Sequence, residues 1–254
     1  MFRLRNLAFV ASLSLVIGIG SSGSVAADEK HHLHAVPFTF VGNAAECGGV
    51  AGSRIVTSGW LHGMGLPDDG ALNAPAPDAA RDPHSGLLLS KNGPQADCSS
   101  AGAVIRELKK DTTLTELGFD YRNGGHCGAG APRFNVTDNT GHTFFFGCAH
   151  GTKTPAPQDS QWTRVRFTTA TPGAEGFVFG ASGTKVKRIS IVFDEGTDIA
   201  SDEDPNGVGL AVLDNIDVNG ALITRGGPGP EMAENGSKED RQGLKHDKKH
   251  SHLE

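Results

Sequence analysis

The chain reads as an all-β protein, a jelly-roll β-sandwich in a single domain with at most one short helix. Two observations predict this. About ten short apolar runs recur between turn residues in a chain with 35 glycines and 13 prolines, the pattern of sandwiches and not of alternating strands and helices. The clearest of these runs, residues 113–148, alternates with period two. Thr115, Leu117, Phe119 and Tyr121 take one side and Glu116, Asp120 and Arg122 the other. A glycine-rich loop follows at 123–131. Phe134 and Val136 then alternate with polar neighbours, Asp138-Asn139-Thr140-Gly141 supplies a turn, and residues 142–148 return as a second strand.

Taken in order, residues 1–27 carry Arg3 and Arg5, an apolar run LAFVASLSLVIGIG and a small-residue end Val25-Ala26-Ala27, the anatomy of a signal peptide. The run is shorter than the roughly twenty apolar residues of a membrane span, and no second apolar stretch follows it. The expected product is secreted or periplasmic, without a transmembrane anchor. Residues 28–35 are expected to form a flexible histidine-rich N-terminus. Residues 226–254, rich in glycine and charge, are expected to form a disordered polar tail. The sandwich is expected over 36–225, long enough to bury one core.

Within it the apolar runs fall at 38–41, 54–60, 86–90, 103–108, 113–122, 133–137, 142–148, 162–169, 176–180, 186–193 and 209–223. The one helix candidate is 99–110, where Ala101, Val104, Ile105 and Leu108 have helical spacing. Residues 64–84, rich in Pro, Ala and Asp, read as a long loop of the kind that carries binding surfaces.

The formal charge of −6 becomes about −8 once Arg3 and Arg5 are removed, so nothing points to nucleic acid as a partner. Four cysteines lie in the exported domain, where disulfides are permitted. A hairpin turning at 138–141 sets Cys148 opposite a residue near Ala131, close to Cys127. This favours Cys127 with Cys148 and leaves Cys47 with Cys98. His126 and His150 beside Cys127 and Cys148 raise a zinc reading, but the spacings of structural zinc sites are absent.

Catalytic signatures are missing. Gly180-Ala181-Ser182-Gly183 lacks the frame of a nucleophile elbow, residues 150–154 lack the order of a phosphate loop, and Gly128-Ala129-Gly130 does not extend to a dinucleotide fingerprint. Asp120, Asp194 and Glu195 are the carboxylates that a glycosidase would draw on.

Two aromatic positions are the ligand-binding candidates. Trp162 shares a strand face with Arg164 and Arg166, opposite Thr163, Val165 and Phe167, which makes it an exposed ring between cations. Trp60, with His62, precedes the long loop. For a metal, Asp202-Glu203-Asp204-Pro205-Asn206-Gly207 has the D-x-D-x-N-G spacing of a calcium loop, although the twelfth position is Leu213. Asp214 shares parity with Leu210, Val212, Ile216 and Val218. A regular strand would bury its carboxylate, so hydrogen bonds, a cation or a bulge must compensate it.

The segments ISIVFD at 189–194 and GLAVLDNIDVNG at 209–220 resemble the closing strands of secreted bacterial jelly rolls of the galactose-binding-like, carbohydrate-binding-module class. CGAGAPRF at 127–134 resembles a recurrent motif of uncharacterised exported proteins. The resemblance spans residues 113–223 and implies a jelly roll, glycan binding and a structural calcium. The chain departs from good glycan binders in having just Trp60, Trp162 and Tyr121 as Trp or Tyr. The leading reading is a non-catalytic exported sandwich that binds a carbohydrate or another extracellular surface. A structural or matrix protein without a small ligand and a glycan-active hydrolase stay open.

Overall fold

The computed structural model describes residues 33–42, 55–66, 84–157, 159–171, 176–224 and 226. The chain divides into two compact units, Met1–His31 and His32–Glu254, and every described residue belongs to the second. The expected signal peptide, Cys47 and the tail beyond residue 226 lie outside the described residues.

Two antiparallel sheets form the sandwich. The smaller is ordered β1 (His34–Phe40), β4 (Ser100–Arg106), β10 (Val186–Phe193), β6 (Arg133–Asp138) and β7 (Thr143–Gly147). The larger runs β2 (Ile55–Leu61), β3 (Gly86–Asn92), β11 (Leu210–Val218), β5 (Leu117–Arg122), β9 (Trp162–Phe167) and β8 (Thr152–Pro155), and β12 (Ala221–Ile223) pairs with β11. Helical structure among the described residues is limited to the 3₁₀ turns Gln95–Asp97 and Cys148–His150 and to Gly176. The fold class is therefore the all-β sandwich that the apolar runs indicate.

Alternation builds the core. Leu117, Phe119 and Tyr121 of β5 meet Phe134 and Val136 of β6, Phe144 and Phe146 of β7, and Ile189, Ile191 and Phe193 of β10. Phe146 is the hub of an aromatic cluster, with ring centroids 5.6 Å from Phe167 and 5.5 Å from both Phe177 and Phe179. Tilted and edge-on rings at these distances add to the area they bury.

Four expectations require correction. Residues 99–110 are not a helix: Ser100–Arg106 is β4, paired on both edges, with Ala101, Ala103 and Ile105 inward. Val104 and Ile105 favour a strand, and Gly102 leaves room for the Phe38 ring on the other face. Residues 176–180 form no strand, yet Phe177 and Phe179 still enter the core. The edge strand β8 was not expected because all four of its residues are exposed and it shows no apolar face. Asp120, placed on the solvent side of β5 by parity, is buried beneath arginines of β9.

Strand β11 resolves the parity conflict at Asp214 by a bulge. Asp214 pairs with Asp120 and Asp217 with Gly118, which leaves one extra residue on β11, and Asn215 takes φ 44°. The shift leaves Ile216 and Val218 in the core while Asp214 turns to the outer face. The expected hairpin holds: Gly141 N donates to Asp138 O, and Asp138 Oδ1 accepts from Thr140 N and His142 N. The Cys127–Cys148 disulfide closes across the loop, with Cα atoms 5.1 Å apart. Cys98 is also disulfide-bonded, and its expected partner Cys47 is not among the described residues.

Candidate functional site

Trp162, Arg164 and Asp214 come together on the outer face of the larger sheet, but as a closed face. Asp214 Oδ2 accepts from Leu66 N at 2.8 Å and Oδ1 from Asn215 N at 2.7 Å. This holds Leu66 over the sheet, where it packs with Ala156, Val212 and Trp162. Trp162 is 3% exposed, so the exposed ring expected there is replaced by a second small core. Arg164 is committed as well. Its Nε and Nη2 grip both oxygens of Asp120 at 3.0 and 3.1 Å, and Asn215 Nδ2 adds a bond at 3.3 Å.

Arg166 lies flat on Gly118, where a side chain at 118 would collide with it, and reaches Asp120 at 3.4 Å and Asp217 at 3.5 Å. Burial and the Asp217 carboxylate raise the Glu116 pKa above the usual carboxylate range. These ion pairs form a buried network whose charges compensate one another.

Trp60 points to the inner side, against the core, and its Nε1 donates to Ala35 O at 2.9 Å. Gly226 packs against the edge of that ring. His62 is exposed, with Nδ1 3.1 Å from Ser85 Oγ. The ligand candidates thus fall on three different surfaces.

The glycine-rich loop builds a buried ionic clasp at one end of the sandwich. His126 is fully buried, with Nε2 2.6 Å from Glu195 Oε2 and Nδ1 3.2 Å from Asp204 Oδ2. A Cβ at Gly128 or Gly130 would strike the Glu195 carboxylate, which explains glycine at both positions. Burial pulls the His126 pKa down, but hydrogen bonds and charge from Glu195 and Asp204 outweigh it and hold the pKa above the ordinary histidine value. Sequence reasoning missed this clasp because its members are 69 and 78 residues apart.

Of the acidic set expected for calcium, Asp204 and Asp214 are engaged by protein groups. Both Asp204 oxygens accept from Val208 N, at 2.8 and 2.7 Å, in addition to His126. Asp202 and Asn206 are exposed, and Asp214 serves Leu66 on another surface. Among the described residues, no group of three or more His, Cys, Asp or Glu side chains is arranged to hold a metal. Each candidate acid for hydrolysis is engaged by a cation: Asp120 by Arg164, Asp194 by Arg133 and Glu195 by His126.

The outer face of the smaller sheet has a different character. Phe145 alternates with buried Phe144 and Phe146 and is 42% exposed. Register places Phe145 beside Asn135, and Asn135 beside Ser190. Arg133 makes a fork to Asp194, Nη1 to Oδ1 at 2.5 Å and Nη2 to Oδ2 at 2.7 Å. Its Nε donates to Asn135 Oδ1 at 3.0 Å, and its guanidinium carbon lies 5.6 Å from the Phe145 centroid. At the far edge the Phe38 ring covers Gly102. An exposed ring beside polar groups held in fixed positions is an arrangement suited to a polyhydroxylated ligand. The signal was present in FFF at 144–146, whose middle ring takes the outward parity of its strand.

No protein-family model matches the chain, and no curated protein matches it. Among solved structures, the family 11 carbohydrate-binding module of the cellulosomal cellulase Lic26A-Cel5E of Clostridium thermocellum is similar at a TM-score of 0.34 and 16% identity, over 74% of this chain and 89% of the module. The family 11 module of Clostridium thermocellum in complex with a β-1,3-1,4-mixed-linked tetrasaccharide is similar at 0.35 and 16% identity, over 75% of this chain and 97% of that one. A likeness this distant says nothing about the ligand.

Proposed function

We propose that this chain is a non-catalytic exported β-sandwich that binds carbohydrate on the outer face of its smaller sheet. One observation carries the reading. Phe145 is an exposed ring on an open sheet face, next to Asn135 and an Arg133 fork already oriented by Asp194. The outer face of the larger sheet does not compete, because Leu66 covers Trp162 and its arginines are spent on Asp120 and Asp217. Side chains fixed before binding lose little entropy when a ligand arrives, and an aromatic face packs against the C–H face of a sugar ring.

The reading is tested by affinity electrophoresis of the purified chain through gels containing soluble polysaccharides, neutral and acidic. Retardation by at least one polysaccharide is expected. Phe145→Ala should weaken it by about tenfold, in line with ~1.4 kcal/mol for a stacked ring, without changing the melting temperature. Equal retardation of wild type and Phe145→Ala, or none by any polysaccharide, would overturn the reading.

A further inference from the structure

The same open face carries two arginines that are unpaired among the described residues. Register sets Thr143 beside Thr137, Thr137 beside Arg188, and His34 beside Arg106. Arg106 and Arg188 each lie two positions past the paired residues Val104 and Ser190, on the same side of neighbouring strands. Both arginines are exposed, and among the described residues neither side chain has an ion pair or hydrogen bond.

Resting on the carbohydrate reading of this face, we infer that its ligand is an acidic polysaccharide bearing carboxylates, a polyuronate. Charge is the first argument. The chain as a whole is acidic, with 29 Asp and Glu against 23 Lys and Arg. Yet the outward positions of the five strands hold three arginines and no carboxylate, and Asp194, just past β10, is matched to Arg133. Like charges on adjacent strands repel one another, and neither Arg106 nor Arg188 has an ion pair among the described residues. A bound anion would supply one.

Geometry narrows the anion. Neighbouring strands lie about 4.8 Å apart, so Arg106 and Arg188 rise from adjacent strands and can divide between successive acidic groups of one chain. A planar carboxylate matches the guanidinium fork in a bidentate pair. Phe145 and Asn135 lie two residue pairs along from Thr143 and Thr137, so a sugar ring on Phe145 places its chain within reach of Arg188. Nucleic acid is disfavoured, because two free arginines on an acidic protein cannot replace a condensed counterion layer.

The experiment measures binding of polygalacturonate, fully methyl-esterified polygalacturonate, dextran sulfate and a neutral β-glucan by isothermal titration calorimetry. Polygalacturonate is expected to bind wild type at least tenfold more tightly than the R106Q/R188Q variant. The esterified polymer should bind wild type and variant alike, and added salt should weaken the acidic polymer alone. Both substitutions are on exposed side chains, and unchanged thermal melts verify folding. Equal polygalacturonate binding by wild type and R106Q/R188Q, or preference for dextran sulfate, overturns the inference. Neutral glucan binding that Phe145→Ala abolishes, with no polygalacturonate binding, overturns the inference and leaves the carbohydrate reading standing. Failure of all four polymers overturns both.

Discussion

His126 Nε2 lies 2.6 Å from Glu195 Oε2, and the imidazole has no exposed surface. With Asp204 on Nδ1, the ring joins three separate segments by one positive charge between two carboxylates. Its folded pKa is raised, so its stabilisation is complete below the unfolded value of about 6.5 and is lost as pH rises through the folded value. Wild type should therefore lose melting temperature as pH rises above about 6.5. His126→Gln strands the two carboxylates and should cost about 3–5 kcal/mol near pH 6, with the gap closing at higher pH. Thermal melts of both proteins from pH 5.5 to 9 check this. A gap independent of pH would show that His126 acts by packing alone.

Trp162 should behave as a structural residue. Trp162→Ala empties the centre of the small cluster with Leu66, Ala156 and Val212 and should destabilise the chain by about 3–5 kcal/mol. The fraction that remains folded should bind carbohydrate as wild type does. Urea denaturation gives the first quantity and titration well below the melting temperature the second. Loss of binding at unchanged stability would return the site to the larger sheet.

Calcium should leave stability unchanged, because His126 and Val208 N already satisfy Asp204. After chelation and dialysis, the melting temperature is followed to millimolar calcium. A rise of several degrees that Asp204→Asn removes would show that Asp202 and Asn206 swing in to complete a site.

Elements with one dry face and one wet face were legible. The hairpin β6–β7, its turn and the Cys127–Cys148 bridge follow from alternation and turn chemistry, which are local. Residues 99–110 were misread because Ala101, Val104, Ile105 and Leu108 satisfy the helical period, while the burial of Ala101, Ala103 and Ile105 satisfies the strand period; only pairing with β1 and β10 decides between them. The burial of Asp120 is hidden from the sequence for a related reason. Parity assigned it correctly to the outer face, but the cover supplied by Arg164 and Arg166 comes from a strand 44 and 46 residues away. Trp162 was likewise on the expected face, and its burial depends on Leu66, held by a bond to Asp214 across 148 residues. Such long-range polar contacts leave no periodic trace in the sequence.

The location of the binding face is tested most directly by backbone amide chemical-shift mapping as galacturonate oligosaccharides are titrated into labelled protein. Perturbations should cluster at Asn135, Thr137, Phe145, Arg188 and Arg106 and leave Leu66, Trp162 and Val212 unmoved. Shifts concentrated at Leu66, Trp162 and Val212, with the smaller sheet silent, would contradict the account.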